Sequence, residues 1–180
     1  MNQYDPKIHH RRAIRMEDYD YSQEGFYFIT ICIQKYKCLL GSVSGNNLTI
    51  NEAGKMVETE WEALPQRFPN IQLHEYISMP NHFHAIIEIL HKEEITLVPI
   101  HEQSNAKKSK TLFSIIDAFK SITTVKYIHG VKDFDWRRFE NKLWQSSYYE
   151  HIIRNYESHQ KIADYIVNNP VNWKEDKLNI

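Results

Sequence analysis

The chain has 180 residues, 42% hydrophobic and 13% aromatic, enough to bury one substantial core and too apolar for a disordered segment. A formal net charge of −1 and only two cysteines, Cys32 and Cys38, argue against a disulfide framework, a cysteine-based zinc site or the bulk positive field of a nonspecific nucleic-acid binder. No apolar stretch reaches membrane-span length and the N-terminus lacks a signal-peptide core, so a cytoplasmic, reduced, single domain over residues 1–180 is expected.

A basic arm opens the chain within about residues 1–20, carrying Arg11, Arg12 and Arg15 beside Lys7, His9 and His10. Residues 26–33 are apolar on both faces and rich in β-formers, as a central strand requires. A turn at Gly45-Asn46-Asn47 leads to a short strand near Leu48–Ile50. Asn51 then caps a helix in which Ala53, Val57, Trp61 and Leu64 recur at helical spacing, up to Pro65. Residues 71–79 and 82–90 read as two strands of a hairpin around Pro80-Asn81.

From about residue 91 to 110 the pattern lapses into a polar surface loop, with Lys107 and Lys108 in a second basic cluster. Leu112, Ile115, Ile116, Phe119, Ile122 and Val125 resume an amphipathic helix ending near Gly130. A basic, aromatic stretch holding Trp136, Arg137 and Arg138 precedes a last strand over 143–153. Asn155 caps a closing helix from Tyr156 to Asn169, stopped by Pro170. The order of elements predicts an α+β fold, an antiparallel sheet with helices packed mainly on one face.

Alternate residues of a strand share a face, so His82 and His84 point the same way, about 7 Å apart, while Phe83, Ala85, Ile87 and Ile89 point into a core. On the closing helix Tyr165 and Asn169 are one turn apart, with Cβ atoms about 6 Å from each other. A helix laid across the sheet would bring a phenol and a carboxamide oxygen to the imidazole pair. His82, His84 and Asn169 would then hold a divalent cation, and Tyr165 would attack a phosphate polarised by it. Mixed N and O ligands suit Mn²⁺ and accept Mg²⁺. Glu88 shares the histidine face, where a solvated carboxylate is the simpler reading. Tyr148 and Tyr149 are rival tyrosines.

Met79-Pro80-Asn81-His82-Phe83-His84 resembles the metal motif of the HUH superfamily of single-strand DNA nucleases. Residues 144–155 and the run Asp164-Tyr165-Ile166-Val167-Asn168-Asn169-Pro170-Val171 resemble segments of its REP-associated tyrosine transposases, in the family's order. The resemblance implies a ferredoxin-like or RNA-recognition-like sheet, with His82 and His84 as ligands, Asn169 as the polar ligand and Tyr165 as nucleophile. It implies cleavage of single-stranded DNA beside a hairpin and strand transfer through a 5′-phosphotyrosine, with Mg²⁺ or Mn²⁺ as cofactor.

Trp136 and Trp144 are candidates for stacking on unpaired bases, with buried packing the default for both. His151, Arg154, Arg137, Arg138, Lys107, Lys108, Arg11, Arg12 and Arg15 are candidates for phosphate contacts. Rival readings are a relaxase-like nicking or replication-initiation protein, and a catalytically idle hairpin DNA- or RNA-binding regulator. Relatives include monomers and dimers, so a homodimer with exchanged tyrosine helices is left open.

Overall fold

The computed structural model describes residues 20–90 and 111–179. Arg11, Arg12, Arg15, Lys107 and Lys108 lie outside the described residues. The strands are β1 (Gly25–Cys32), β2 (Gly41–Ser44), β3 (Asn47–Ile50), β4 (Ile71–Ser78), β5 (His82–Ile89) and β6 (Tyr149–Ile153). The helices are α1 (Glu52–Glu62), α2 (Leu64–Arg67), α3 (Leu112–Asp133) and α4 (Tyr156–Val167). A four-stranded antiparallel sheet has the order β4-β5-β1-β6, and β2 with β3 forms a separate two-stranded hairpin. The expected α+β class with an antiparallel sheet is what the structure has.

β1 and β5 occupy the centre of the sheet, which is why their sequences are apolar on both faces. One face presents Tyr27, Ile29, Ile31, Phe83, Ala85 and Ile87 to Val57 and Trp61 of α1 and to Ile115, Ile116 and Phe119 of α3. Aromatic rings lock this layer, with Phe83 5.1 Å from Trp61 and 5.4 Å from Phe119 between centroids. The other face carries a smaller cluster in which Phe28, Ile86 and Ile153 meet Ala163 and Ile166 of α4. Most helical mass therefore lies on one face, and α4 is the described helix that crosses the face bearing His82 and His84.

Several boundaries differ from the sequence expectation, each for a local reason. Pro65 begins α2 rather than only ending α1, since a proline in the first turn gives up no needed donor. The last strand starts at Tyr149, not near 143, because Leu143 and Trp144 are buried in the α1/α3 layer and make only an isolated bridge to Ile33. Their apolar character reflects core packing, not sheet pairing. α3 continues through Gly130 to Asp133. A Cβ at Gly130 would stand 2.1 Å from the Trp136 ring, so glycine there opens the seat for that indole.

The turn that carries the histidines is anchored by backbone bonds. Pro80 O accepts from Leu39 N (2.9 Å) and Leu40 N (3.0 Å), and Asn81 O accepts from Ile33 N (2.8 Å). No described helix is long and apolar enough to cross a membrane.

Gly54 tests this packing. In an exposed helix interior, Gly→Ala gains about 1 kcal/mol. At Gly54 a Cβ would stand 2.3 Å from Leu40 O and 3.1 Å from Ile50 Cβ, against backbone that cannot swing aside. We expect Gly54→Ala to reverse the usual sign and lower the urea midpoint at unchanged m-value; a raised midpoint would show the α1 contact to be loose.

Candidate active site

The period-2 pattern of β5 puts His82 and His84 on the α4 face, with ring centroids 4.4 Å apart. The sheet is covered there, so the imidazoles are buried at 0% and 2% exposure rather than solvent-facing. Burial holds the His82 imidazole down at about 3 and, with His82 as a secondary cause, keeps His84 well below its ordinary value. Both rings are neutral at pH 7 because they are dry, and only a neutral imidazole can ligate a metal.

The proton on His82 is located by its neighbour. Asn81 Nδ2 donates to Tyr36 O (3.2 Å) and Leu178 O (2.7 Å), which turns Asn81 Oδ1 toward His82 Nδ1 at 2.8 Å. Nδ1 must therefore carry the hydrogen, leaving the lone pair on Nε2. In His84, Nδ1 stands 2.8 Å from Thr30 Oγ1 on the neighbouring strand. With Nδ1–H donating to Thr30, Nε2 faces the Tyr165 hydroxyl at 3.3 Å.

Asn155 caps α4 by accepting from Ser158 N at 2.8 Å, which fixes the helix start and with it the phase of Tyr165. The Tyr165 ring lies edge-on to Phe28 (6.1 Å), and Phe28 also flanks His84 (5.3 Å) and Tyr149 (6.1 Å). Tyr165 is 43% exposed. Burial first and Asp176 second raise its phenol pKa, and a hydrogen bond with Asn169 works the other way. Asn169 is 1% exposed, just past α4, and interacts with both Tyr165 and His82.

One site residue escaped the sequence reading. After Pro170 the chain turns back over the sheet, stacking Trp173 on His82 (centroids 6.0 Å). It brings Asp176 Oδ2 within 3.9 Å of His82 Nε2. Asp176 Oδ1 accepts from Leu178 N (2.8 Å), so Oδ2 is the oxygen left over. Ligand atoms of His82, His84 and Asp176 all lie within 4.8 Å of one another. Cys32 pairs with His82 across the strands, where burial, aided by Asp176, pushes its thiol up to about 11, and it does not belong to that close group of ligand atoms.

These residues fit a divalent cation. His82 Nε2, Asn169 Oδ1 and Asp176 Oδ2 are buried without a hydrogen-bond partner. In the arrangement seen, all three present a lone pair. A cation satisfies such a set, and the N₂O₂ donor chemistry of His82, His84, Asn169 and Asp176 leaves coordination positions for a substrate oxygen or water. Asn81 and Thr30 would hold the imidazoles from behind.

The remaining candidates are dispersed. Trp144 is a core residue, 3% exposed, with its indole N–H donated to Thr123 Oγ1 at 2.9 Å, so it is not free to stack on a base. Trp136 packs on Gly130 and Tyr127, and is likewise held by the fold. His151 is exposed on the site face of β6, opposite Phe28, and Arg154 is exposed just beyond that strand. Arg137 and Arg138 are exposed after α3. Glu88 is not a ligand here, since it pairs with His74 Nε2 at 2.9 Å. Tyr148 packs near Phe113, and Tyr149, although on the site face, has no contact with either histidine comparable to that of Tyr165.

No family model matches the chain. A protein of Haemophilus influenzae, named only as uncharacterized, is 38% identical over 183 residues, covering 97% of this chain and 96% of its own length. Among solved structures, a REP-associated tyrosine transposase bound to a REP hairpin superposes with a TM-score of 0.51 at 19% identity, covering 91% of this chain and 74% of that one. The fold expected from the motifs is thus shared with that structure.

Two outcomes follow from the geometry. Thr30→Val keeps the shape but removes the oxygen behind His84, and should weaken Mn²⁺ affinity about 10- to 100-fold by calorimetry; an unchanged affinity would dismiss Thr30 as a support. The depressed pKa of His82 and His84 means the unfolded chain binds more protons than the folded one below about pH 6.5. Metal-free protein should therefore lose stability as pH falls from 6.5 toward 3, by up to about 1.4 kcal/mol per pH unit for each imidazole. Denaturant titrations of His82→Asn/His84→Asn should show a flatter profile.

Proposed function

The chain belongs to one family with the Haemophilus influenzae protein, and from that premise and the site geometry we propose that it is a tyrosine transposase of the REP-associated kind. In this reading residues 1–180 act as one nuclease domain that cuts single-stranded DNA next to a hairpin and rejoins strands. The supporting observation is the meeting of Tyr165 Oη with His84 Nε2 at 3.3 Å, beside a buried set of acceptors suited to a cation. The Tyr165 phenol meets His84 within its own chain.

Tyr165 Oη forms an ester with phosphorus as the P–O3′ bond breaks, giving a 5′-phosphotyrosine and a 3′-hydroxyl. The phenol proton leaves toward water at the exposed edge of the ring, and O3′ takes one up, so protons balance. Phosphodiester number is conserved, which lets a 3′-hydroxyl displace the tyrosine later without ATP. A bound Mg²⁺ or Mn²⁺ supplies Lewis-acid polarisation of the phosphate and favours the phenolate. His82, His84, Asn169 and Asp176 are the residues that would hold it. Asn169, touching both the phenol and His82, positions nucleophile and ligand relative to each other. His151 and Arg154, on and just beyond β6, are assigned to contact with the DNA backbone.

A hairpin oligonucleotide with a single-stranded flank, incubated with Mn²⁺, should give a covalent protein–DNA adduct resistant to denaturing gels. We expect Tyr165→Phe to abolish the adduct while retaining hairpin affinity within about threefold, since a single hydroxyl adds little to phosphate-dominated binding. His82→Ala or His84→Ala should remove metal-dependent cleavage. An adduct persisting in Tyr165→Phe overturns the nucleophile assignment. Nicking without strand joining would favour the relaxase-like alternative.

A further inference from the structure

A second cluster of ligating side chains lies on the same sheet face and shares no residue with the first. In β4 the register runs from Leu73↔Ile87 directly to Tyr76↔Ala85, so His74 and Glu75 together oppose Ile86. Regular alternation would send these two side chains to opposite faces. A bulge of this kind re-aims one of them. His159, in the second turn of α4, completes the group: ligand atoms from His74, Glu75 and His159 all lie within 4.8 Å of one another. The two imidazoles meet edge to face at 5.4 Å, and each lies 5.1 Å from the Phe26 ring beneath them.

We propose that His74, Glu75 and His159 form a second divalent-cation site, of the zinc class, that ties α4 to the edge strand β4. Glu88 Oε2 accepts from His74 Nε2 at 2.9 Å, in a pair whose side chains are about one-fifth exposed (20% and 23%). That bond places the His74 hydrogen on Nε2 and leaves Nδ1 with the lone pair, the carboxylate–histidine arrangement that orients a metal ligand. Ligands on a tetrahedral zinc stand about 3.3 Å apart, so a small rotamer adjustment from the observed spread closes the group around an ion. Two imidazoles and a carboxylate select Zn²⁺ over Mg²⁺, and a water fills the fourth position. The ion would cross-link the two elements six residues before Tyr165, about 9 Å along the helix axis. It would therefore limit how far the nucleophile helix can lift from the sheet. This site is independent of the reading given above, and its test uses no DNA.

Full-length His82→Ala/His84→Ala protein, lacking the first site, is titrated with Co²⁺ as a spectroscopic probe and with Zn²⁺ in thermal melts. One equivalent of Co²⁺ with an intense visible d–d band, and a Zn²⁺-dependent rise in Tm, are expected. Adding His159→Gln, a substitution of a partly exposed side chain that leaves the fold intact, should abolish both. Glu88→Gln should weaken Zn²⁺ binding about 10- to 100-fold. Absence of the band in the double variant, or its persistence with His159→Gln, overturns the proposal. Should the double variant not fold, His159→Gln alone must lower the Co²⁺ stoichiometry of the otherwise unaltered protein by one, and an unchanged stoichiometry overturns it equally.

Discussion

Three buried polar atoms at one end of the sheet lack a hydrogen-bond partner, and the bonds around them hold them in place. His82 Nε2, Asn169 Oδ1 and Asp176 Oδ2 come from a strand, a helix end and a returning tail. Each unpaired buried acceptor costs about 1–3 kcal/mol, more for a carboxylate, so the grouping is not what stability alone would select. The Asn81 amide is fixed by two backbone carbonyls, and so fixes the His82 tautomer; Asp176 has its other oxygen committed to Leu178 N. In the proposed function a cation would turn this penalty into binding energy, with the supporting bonds keeping the ligands in place before it arrives.

The sheet makes such a site affordable by dividing its faces. Phe83, between the two histidines, belongs to the large aromatic layer with Trp61 and Phe119, and its neighbours Ala85 and Ile87 face the same way. That layer carries most of the apolar burial, so the opposite face can hold polar groups over a minor core of Phe28, Ile86 and Ile153 against α4. Because β5 and β1 are central strands, side chains at their ends are dry and rigidly registered, and Thr30 falls directly opposite His84. The helix that brings Tyr165 is held by less apolar surface than α1 or α3, which makes its polar attachments matter more.

What could be read from the sequence followed regular periods. His82, His84 and the inward residues between them obey the two-residue repeat of a strand, and Tyr165 and Asn169 the turn of a helix, so their faces were legible before any coordinates. Asp176 obeys neither repeat: it sits in an irregular tail after Pro170, where no period says which way a side chain points. The His74–Glu75 bulge breaks the strand repeat itself, and its partner His159 comes from 84 positions later in a different element. Trp144 misled for the opposite reason, since an apolar, aromatic run looks the same whether it pairs in a sheet or fills a core. Burial, which no strand pattern reports, is what holds the two histidines neutral.

The exposure gradient across the site matches a polymeric substrate. The imidazoles and Asn169 are at most 2% exposed, whereas Tyr165 is 43% exposed at the rim. Charge interactions are strong at the dry end, and a DNA strand can approach at the wet end without entering the fold. Asp176 links the two ends. Its carboxylate adds to the burial that raises the Tyr165 pKa. Any cation held by His82, His84 and Asp176 cancels that charge and reverses its influence on the phenol. In the proposed function, one carboxylate, Asp176, would act on both the nucleophile and the ligand set.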